Sequence, residues 1–358
     1  MVTTARWAPQ HVVREGTPGA ALRVAVAGAS HWHLPRHAKH LGEAGASFAA
    51  VYDPDPLVAE RWAQALHCPT VPDLATIAEQ VRPDLVLALG RVSDMAAQGR
   101  LLVEAGLPLL AEKPLGLHGA EVAELAQLVE QRQAWVAVAL VQRYDPLWAT
   151  IDALHDSGRL GEIAHLHVRI VNGPPQRYAT WGSGWMLHPA TAGGGAMLNL
   201  GIHGVDSFLH LTGAPATVAG AALTHQAHHQ AVEDFGAITL RASTGAVGTI
   251  EAGYTYPDVA AGMTGSGDNE VRLGAARAYL IARDADVVLV TADAGAQIQD
   301  GARSGDRYRD WMFDSLARFR AGQRPLVGIE ACLAAVRVID AAYLAAGRPV
   351  PPTPPGDA

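Results

Sequence analysis

The sequence predicts an α/β domain with a doubly wound parallel sheet, followed by an α+β domain built on an open, largely antiparallel sheet. Three observations point there. From Leu22 onward, short and nearly continuous apolar runs alternate with helical stretches, as strands do when crossover helices cover both faces of a sheet. After Arg143 the later segments are joined by short turn-like links, the mark of an antiparallel meander. At 358 residues the chain also exceeds one ordinary core. The predicted divisions are a tail over 1–20, the first domain over 21–145, the second over 146–350 and a Pro-rich end over 351–358.

The five runs of the first domain are LRVAVAG (22–28), ASFAAVYD (46–53), PDLVLALG (83–90), LPLLAEKP (107–114) and WVAVAL (135–140). A helix over PLWATIDALHDSG (146–158) opens the second domain, followed by EIAHLHVRI (162–170), an aromatic loop YATWGSGWMLHP (178–189) and a glycine-led helix ending near Gly213. FGAITLRA, AVGTIEAGYTY, AYLIARD and DVVLVTA supply the meander, and two closing helices each stop at a Gly placed as a C-terminal cap.

Composition narrows the function. With 27 Lys and Arg against 35 Asp and Glu, the formal charge is −8, and no basic cluster is present to neutralise a nucleic-acid backbone. No apolar run reaches membrane-spanning length, so no membrane partner is expected. Two cysteines far apart, Cys68 and Cys332, and no apolar core near the N-terminus for a secretory signal suit a reducing, cytoplasmic setting.

After the first strand comes Gly28-Ala29-Ser30-His31-Trp32-His33, where a full dinucleotide fingerprint has Gly at the first, third and sixth places. Only Gly28 is kept. It supplies the strand-to-helix turn, and Ser30 is the next smallest residue where backbone approaches a pyrophosphate. Asp53, at the end of the second strand, stands near the spacing of an acidic group that bonds the adenosine ribose and favours NAD, with NADP left open. Asp53-Pro54 also suits a plain strand-ending turn. Gly28, Ser30, His31, Asp53, Gly90 and Glu112 are the cofactor-binding candidates.

The stretch Gly193 to Asp206, GGGAMLNLGIHGVD, runs three glycines into a helix carrying Asn199, His203 and Asp206 on one face. Met197, Leu198, Leu200, Ile202 and Val205 already supply an apolar face, so the polar stripe behind this flexible entry reads as a proton-handling site. A helix start with a satisfied histidine is the competing reading.

Glu112-Lys113-Pro114 after a strand, then GGG leading a polar helix with His, resembles the glucose-fructose oxidoreductase and myo-inositol dehydrogenase (Gfo/Idh/MocA) family. The likeness extends over about 21–350, taking in RYDP (143–146), GRLGEI (158–163) and the last helix. It implies an N-terminal Rossmann domain, a C-terminal sheet through which copies form a dimer or tetramer, and hydride transfer between a nicotinamide and a sugar or polyol carbon. By the same resemblance Lys113 bonds the reacting oxygen and His203 handles its proton. An ammonium stabilises a developing alkoxide, and an imidazole accepts a proton near neutral pH. The family's helix commonly carries Asp four residues before the His. Here Asn199 holds that place, which can bond a substrate hydroxyl but cannot take a proton. Asp206 either orients the imidazole or bonds elsewhere. Trp185, His188 and Tyr144 are the substrate candidates, with Trp181 beside them. An aromatic face suits a sugar C–H surface and equally anchors a loop.

No His pair stands with a carboxylate at a known ligand spacing, so no metal is expected among the 16 histidines. Two other functions fit the same residues: NAD-dependent glycoside cleavage by transient oxidation, and a ligand-sensing protein that keeps the fold without catalysis.

Overall fold

The computed structural model describes residues 21–257, 267–299 and 305–348, and the chain forms two compact units. Both expected tails, 1–20 and 351–358, lie outside the described residues.

The first unit holds β1 (Arg23–Ala27), α1 (Leu34–Glu43), β2 (Ser47–Tyr52), α2 (Pro56–Leu66), α3 (Leu74–Thr76), β3 (Leu85–Ala88), α4 (Val92–Glu104), β4 (Leu109–Ala111), α5 (Gly119–Arg132) and β5 (Val136–Val138). Its five strands pair in parallel in the order β2-β1-β3-β4-β5. β3, β4 and β5 are buried at every residue, which is why their sequences run apolar without alternation. The strand order reverses between β1 and β3, and ligands of open parallel sheets bind beyond the carboxyl ends of the strands at such a point. α2 starts where the Asp55 side chain accepts from the Leu57 N–H with Pro56 at the first helical position.

The second unit holds α6 (Pro146–Asp156), β6 (Ile163–Asn172), α7 (Arg177–Thr180), α8 (Pro189–Ala192), α9 (Ile202–Thr212), β7 (Ala216–Thr224), β8 (Phe235–Ala242), β9 (Val247–Gly253), β10 (Gly267–Ala275), β11 (Ala278–Arg283), β12 (Asp286–Thr291) and β13 (Gly295–Gln299). The eight strands form one sheet in the order β13-β12-β11-β10-β6-β9-β8-β7. Every pairing is antiparallel except β6 with β9. β7, β10 and β13 were not among the expected strands. β7 is an edge strand with no fully buried residue, and β10 begins Gly-Asp-Asn-Glu, so neither shows the apolar alternation that marks a half-buried strand.

The closing helices are α10 (Arg307–Arg320) and α11 (Ile329–Ala345), followed by Gly322 and Gly347 at φ 63° and 73°. Residues 308–333 belong to the first unit, which corrects the unbroken second domain expected over 146–350. Three contacts carry them back: the Trp135 indole N–H donates to the Gln323 carbonyl at 2.9 Å, the Val138 N–H to the Val327 carbonyl at 2.9 Å, and Trp311 is fully buried against His37.

Candidate active site

In the first unit, the turn after β1 is built around close backbone approach. Gly28 has φ +85°, and a Cβ there would lie 1.9 Å from the Leu89 carbonyl oxygen, so no other residue fits without displacing β3. Gly90, at φ +121°, faces it: a Cβ on Gly90 would stand 3.3 Å from the Gly28 Cα. The two glycines leave bare backbone where the strand order reverses, which fits a dinucleotide crossing that crevice.

Asp53 points inward. Its Oδ2 accepts the N–H groups of Ala29 at 2.6 Å and Ser30 at 2.9 Å, its Oδ1 accepts that of Asp55 at 2.9 Å, and it is 7% exposed. The carboxylate expected on the ribose is therefore spent holding the β1–α1 turn. With glycine missing at the third and sixth places, this turn is fixed by a side chain.

Five residues from three segments meet at the end of β4: His31, His33 and His37 around the start of α1, Glu112, and Tyr308 of α10. The Glu112 Oε1 accepts from His33 Nδ1–H and His37 Nε2–H, both at 2.7 Å. The Tyr308 hydroxyl donates to His33 Nε2 at 3.1 Å, and His31 Nδ1 accepts the His33 backbone N–H at 3.1 Å, which assigns the tautomers. Burial holds His31 well below the usual imidazole range and lowers His33, against the pull of Glu112, so both are neutral at pH 7. Burial alone would raise Glu112. The positive charge that His33 gains when protonated in acid, with the hydrogen bonds from His33 and His37, overcomes it and holds the carboxyl well below its usual value. Lys113, 4% exposed and joined to Pro114 by a cis peptide bond, is lowered by burial to about 8, with Glu112 and Cys332 opposing.

The metal expectation rested on linear spacing, and the fold brings together what spacing does not: ligand atoms of His31, His33 and Glu112 lie within 4.8 Å of one another. The nitrogens and oxygen here are engaged with one another as a hydrogen-bonded net.

In the second unit the glycine run is tightly packed, which corrects the flexible entry expected of it. Gly193 takes φ +74°, a Cβ on Gly194 would meet the Tyr343 hydroxyl at 1.9 Å, and one on Gly195 would meet the Glu233 carbonyl at 2.2 Å. Glu233 is fully buried, accepts from the Met197 N–H at 3.1 Å and the Tyr343 hydroxyl at 2.8 Å, and pairs with Arg348. The helix then opens with a π-helical turn over Met197–Gly201 before α9, a distortion frequent at functional sites.

Asn199, His203 and Asp206 are all buried, at 5%, 7% and 1% exposure. The Asn199 amide donates to the Tyr178 hydroxyl at 2.8 Å and the Tyr254 hydroxyl at 2.9 Å. Asp206 does not lie in that net. Its carboxylate takes a two-pronged bond from Arg143 at 2.8 and 2.6 Å, so of the two roles expected for it the structure selects bonding elsewhere. This bond uses the Arg of RYDP. The Asp of that motif, Asp145, accepts the Leu147 N–H at the start of α6 and meets Arg307. Tyr144 between them is half-buried. Trp185 is half-buried in a 3-10 turn and its carbonyl accepts from Thr191. His188 is exposed and its carbonyl starts α8, so its visible role is a helix start. Tyr178, Tyr254, His37 and Tyr308 escaped sequence reasoning, although His37 stands four residues after His33.

Two family models match in chain order: the NAD-binding Rossmann fold of the oxidoreductase family over residues 22–140, and the GFO/IDH/MocA C-terminal domain over residues 148–271. The chain belongs to the Gfo/Idh/MocA family. Among Gfo/Idh/MocA proteins, it is 27% identical over 215 residues to a dTDP-3,4-didehydro-2,6-dideoxy-α-D-glucose 3-reductase of Saccharopolyspora spinosa, a match spanning 58% of this chain and 60% of the reductase. It is 28% identical over 244 residues to a myo-inositol dehydrogenase of Streptomyces leeuwenhoekii, spanning 65% of this chain and 71% of that one. An oxidoreductase from Agrobacterium radiobacter, solved with NAD+, L-tartaric acid and magnesium, superposes with a TM-score of 0.78 at 16% identity, covering 92% of this chain and 97% of that one, which shows the shared fold. Among the described residues no helix is long and apolar enough to cross a membrane.

Proposed function

We propose that this Gfo/Idh/MocA protein moves a hydride between a nicotinamide dinucleotide and a sugar or polyol carbon. The observation that carries the reading is Lys113: a buried ammonium lowered to about 8, beside Glu112 at the carboxyl end of β4, in the unit whose Gly28 and Gly90 leave backbone open for a dinucleotide. The nicotinamide, when bound, supplies the hydride acceptor or donor. Gly28, Ser30, His31 and Gly90 hold the dinucleotide along the β1 and β3 turns. Lys113 donates a hydrogen bond to the reacting oxygen and stabilises its developing charge. His203 takes the hydroxyl proton during oxidation and returns it during reduction. Asn199, its amide hydrogens fixed by Tyr178 and Tyr254, positions substrate without exchanging a proton. Asp53, occupied by the turn, does not select between NAD and NADP by meeting the ribose.

The exposed apolar residues Tyr279, Val290 and Ile298 on β11–β13 support pairing of copies through the second sheet. The test is a titration with NADH and NADPH followed by nicotinamide fluorescence, then a sugar and polyol panel followed by absorbance of the reduced cofactor. Saturable binding with turnover that disappears in Lys113→Ala is expected. Absence of binding by either nucleotide refutes the proposal.

A further inference from the structure

Arg177 is out of balance with its surroundings. Arg143, Arg169, Arg307 and Arg348 in the same unit each meet a carboxylate. Arg177 meets none among the described residues. Its guanidinium is instead held by rings, with its carbon 5.2 Å from the Tyr178 centroid, 5.4 Å from Trp181 and 5.9 Å from Tyr254. Its Nε is sealed from solvent with no acceptor, and the one hydrogen bond it makes is from Nη2 to the Tyr178 hydroxyl at 3.5 Å, the outer limit of such a bond. Nη1 has no acceptor among the described residues. Gly173 makes room for it: a Cβ there would stand 3.1 Å from Nη1.

Ring faces stabilise a cation but leave its N–H groups unpaired, and a half-buried guanidinium without a counter-charge is costly. Position narrows what supplies the missing anion. The Tyr178 hydroxyl near Nη2 also accepts the Asn199 amide at 2.8 Å, and Tyr254 is the other phenol on that amide. Arg177 is therefore one tyrosine away from the helix that carries Asn199 and His203.

We propose that Arg177 binds an oxyanion on the substrate, so that the sugar or polyol taken here carries a carboxylate or phosphate away from the reacting carbon. The inference rests on the hydride-transfer reading and adds its substrate class. The planar fork of Arg, held within 6 Å of three ring centroids, suits an oxyanion presenting two oxygens.

The test compares matched ligands by calorimetry on the NADH-loaded protein: D-glucose, D-glucuronate and D-glucose 6-phosphate, and likewise D-galactose, D-galacturonate and D-galactose 6-phosphate. One acidic member is expected to bind at least about tenfold tighter than its neutral partner, the size of one charge-assisted hydrogen-bond pair. A carboxylate preference identifies acidic sugars, and a phosphate preference identifies phosphorylated ones. In Arg177→Gln the preference is expected to fall to within about twofold, and in Arg177→Lys to shrink while persisting. A merely structural arginine would lower the thermal midpoint without changing the acidic-to-neutral ratio. Equal affinity for acidic and neutral sugars, no binding of any acidic sugar at about 10 mM, or a ratio unchanged in Arg177→Gln overturns the proposal. Failure to bind NADH refutes the hydride-transfer reading beneath it, so the two failures are separate.

Discussion

Asp53 decides between two accounts of the nucleotide end, and Asp53→Ala separates them. The carboxylate accepts three backbone N–H groups, from Ala29 at 2.6 Å, Ser30 at 2.9 Å and Asp55 at 2.9 Å. A hydrogen bond to a charged acceptor contributes about 1.5–3 kcal/mol when its donor would otherwise be left dry. The Asp55 and Ser30 donors are only partly buried, so water replaces much of what they lose, whereas the Ala29 donor is buried. The expected net cost is about 3 kcal/mol, which for a unit of this size lowers its unfolding midpoint by about 6–12 °C. Calorimetry reads the midpoint, and titrations of the same variant with NADH and NADPH read the nucleotide site. Both nucleotides should weaken together, because the turn that receives them has loosened. A midpoint within about 2 °C of the parent, with NADPH gaining about tenfold over NADH, would refute the reasoning and return Asp53 to the ribose.

Lys113→Met should abolish turnover without lowering stability at pH 7, because holding a lysine at about 8 instead of 10.5 costs about 3 kcal/mol of folding free energy. The unfolded chain binds more protons than the folded one between those values, so parent stability should rise from pH 8 to 10.5, and Lys113→Met should lose that rise; turnover by the parent should fall above pH 8 as the ammonium is lost. On the acid side, His31 and His33 sit below the 6.5 of a free imidazole, so the unfolded chain takes protons first. Thermal midpoints should drop as pH falls below 6.5, and His31→Asn, which keeps an acceptor for the His33 N–H, should flatten that slope. Gly195→Ala drives a Cβ into the Glu233 backbone and should cost about 3 kcal/mol or more in urea unfolding; Gly194→Ala meets side chains, the Tyr343 phenol and the Leu198 Cβ, rather than backbone and should cost less.

The parallel strands were legible because burial on both faces leaves runs with no polar interruption, as LVLA of β3 has none. The strand-to-helix turn at Gly28 was legible for a similar reason, since a short motif there reports a local backbone demand. β7 and β10 were not, because an exposed edge and a polar start erase the alternation. The substrate candidates fared unevenly: Tyr144 and Trp185 are half-buried while His188 is exposed, and nothing in the sequence around them distinguishes the three.

What the sequence by itself determined are features set within a few residues: strand and helix periodicity, helix-capping residues such as Asp55, and a glycine where the chain turns from β1 to α1. What only the tertiary structure decided is which polar side chain meets which. Glu112, just past β4, takes His33 and His37 from the start of α1 and reaches Tyr308 through His33, Asp53 turns inward to the Ala29 and Ser30 amides, Asn199 is clasped by two tyrosines, and Arg177 lies among rings with no carboxylate among the described residues. Backbone preferences are local and are written in neighbouring residues, whereas the partner of a buried polar group is chosen by packing between segments far apart in the chain.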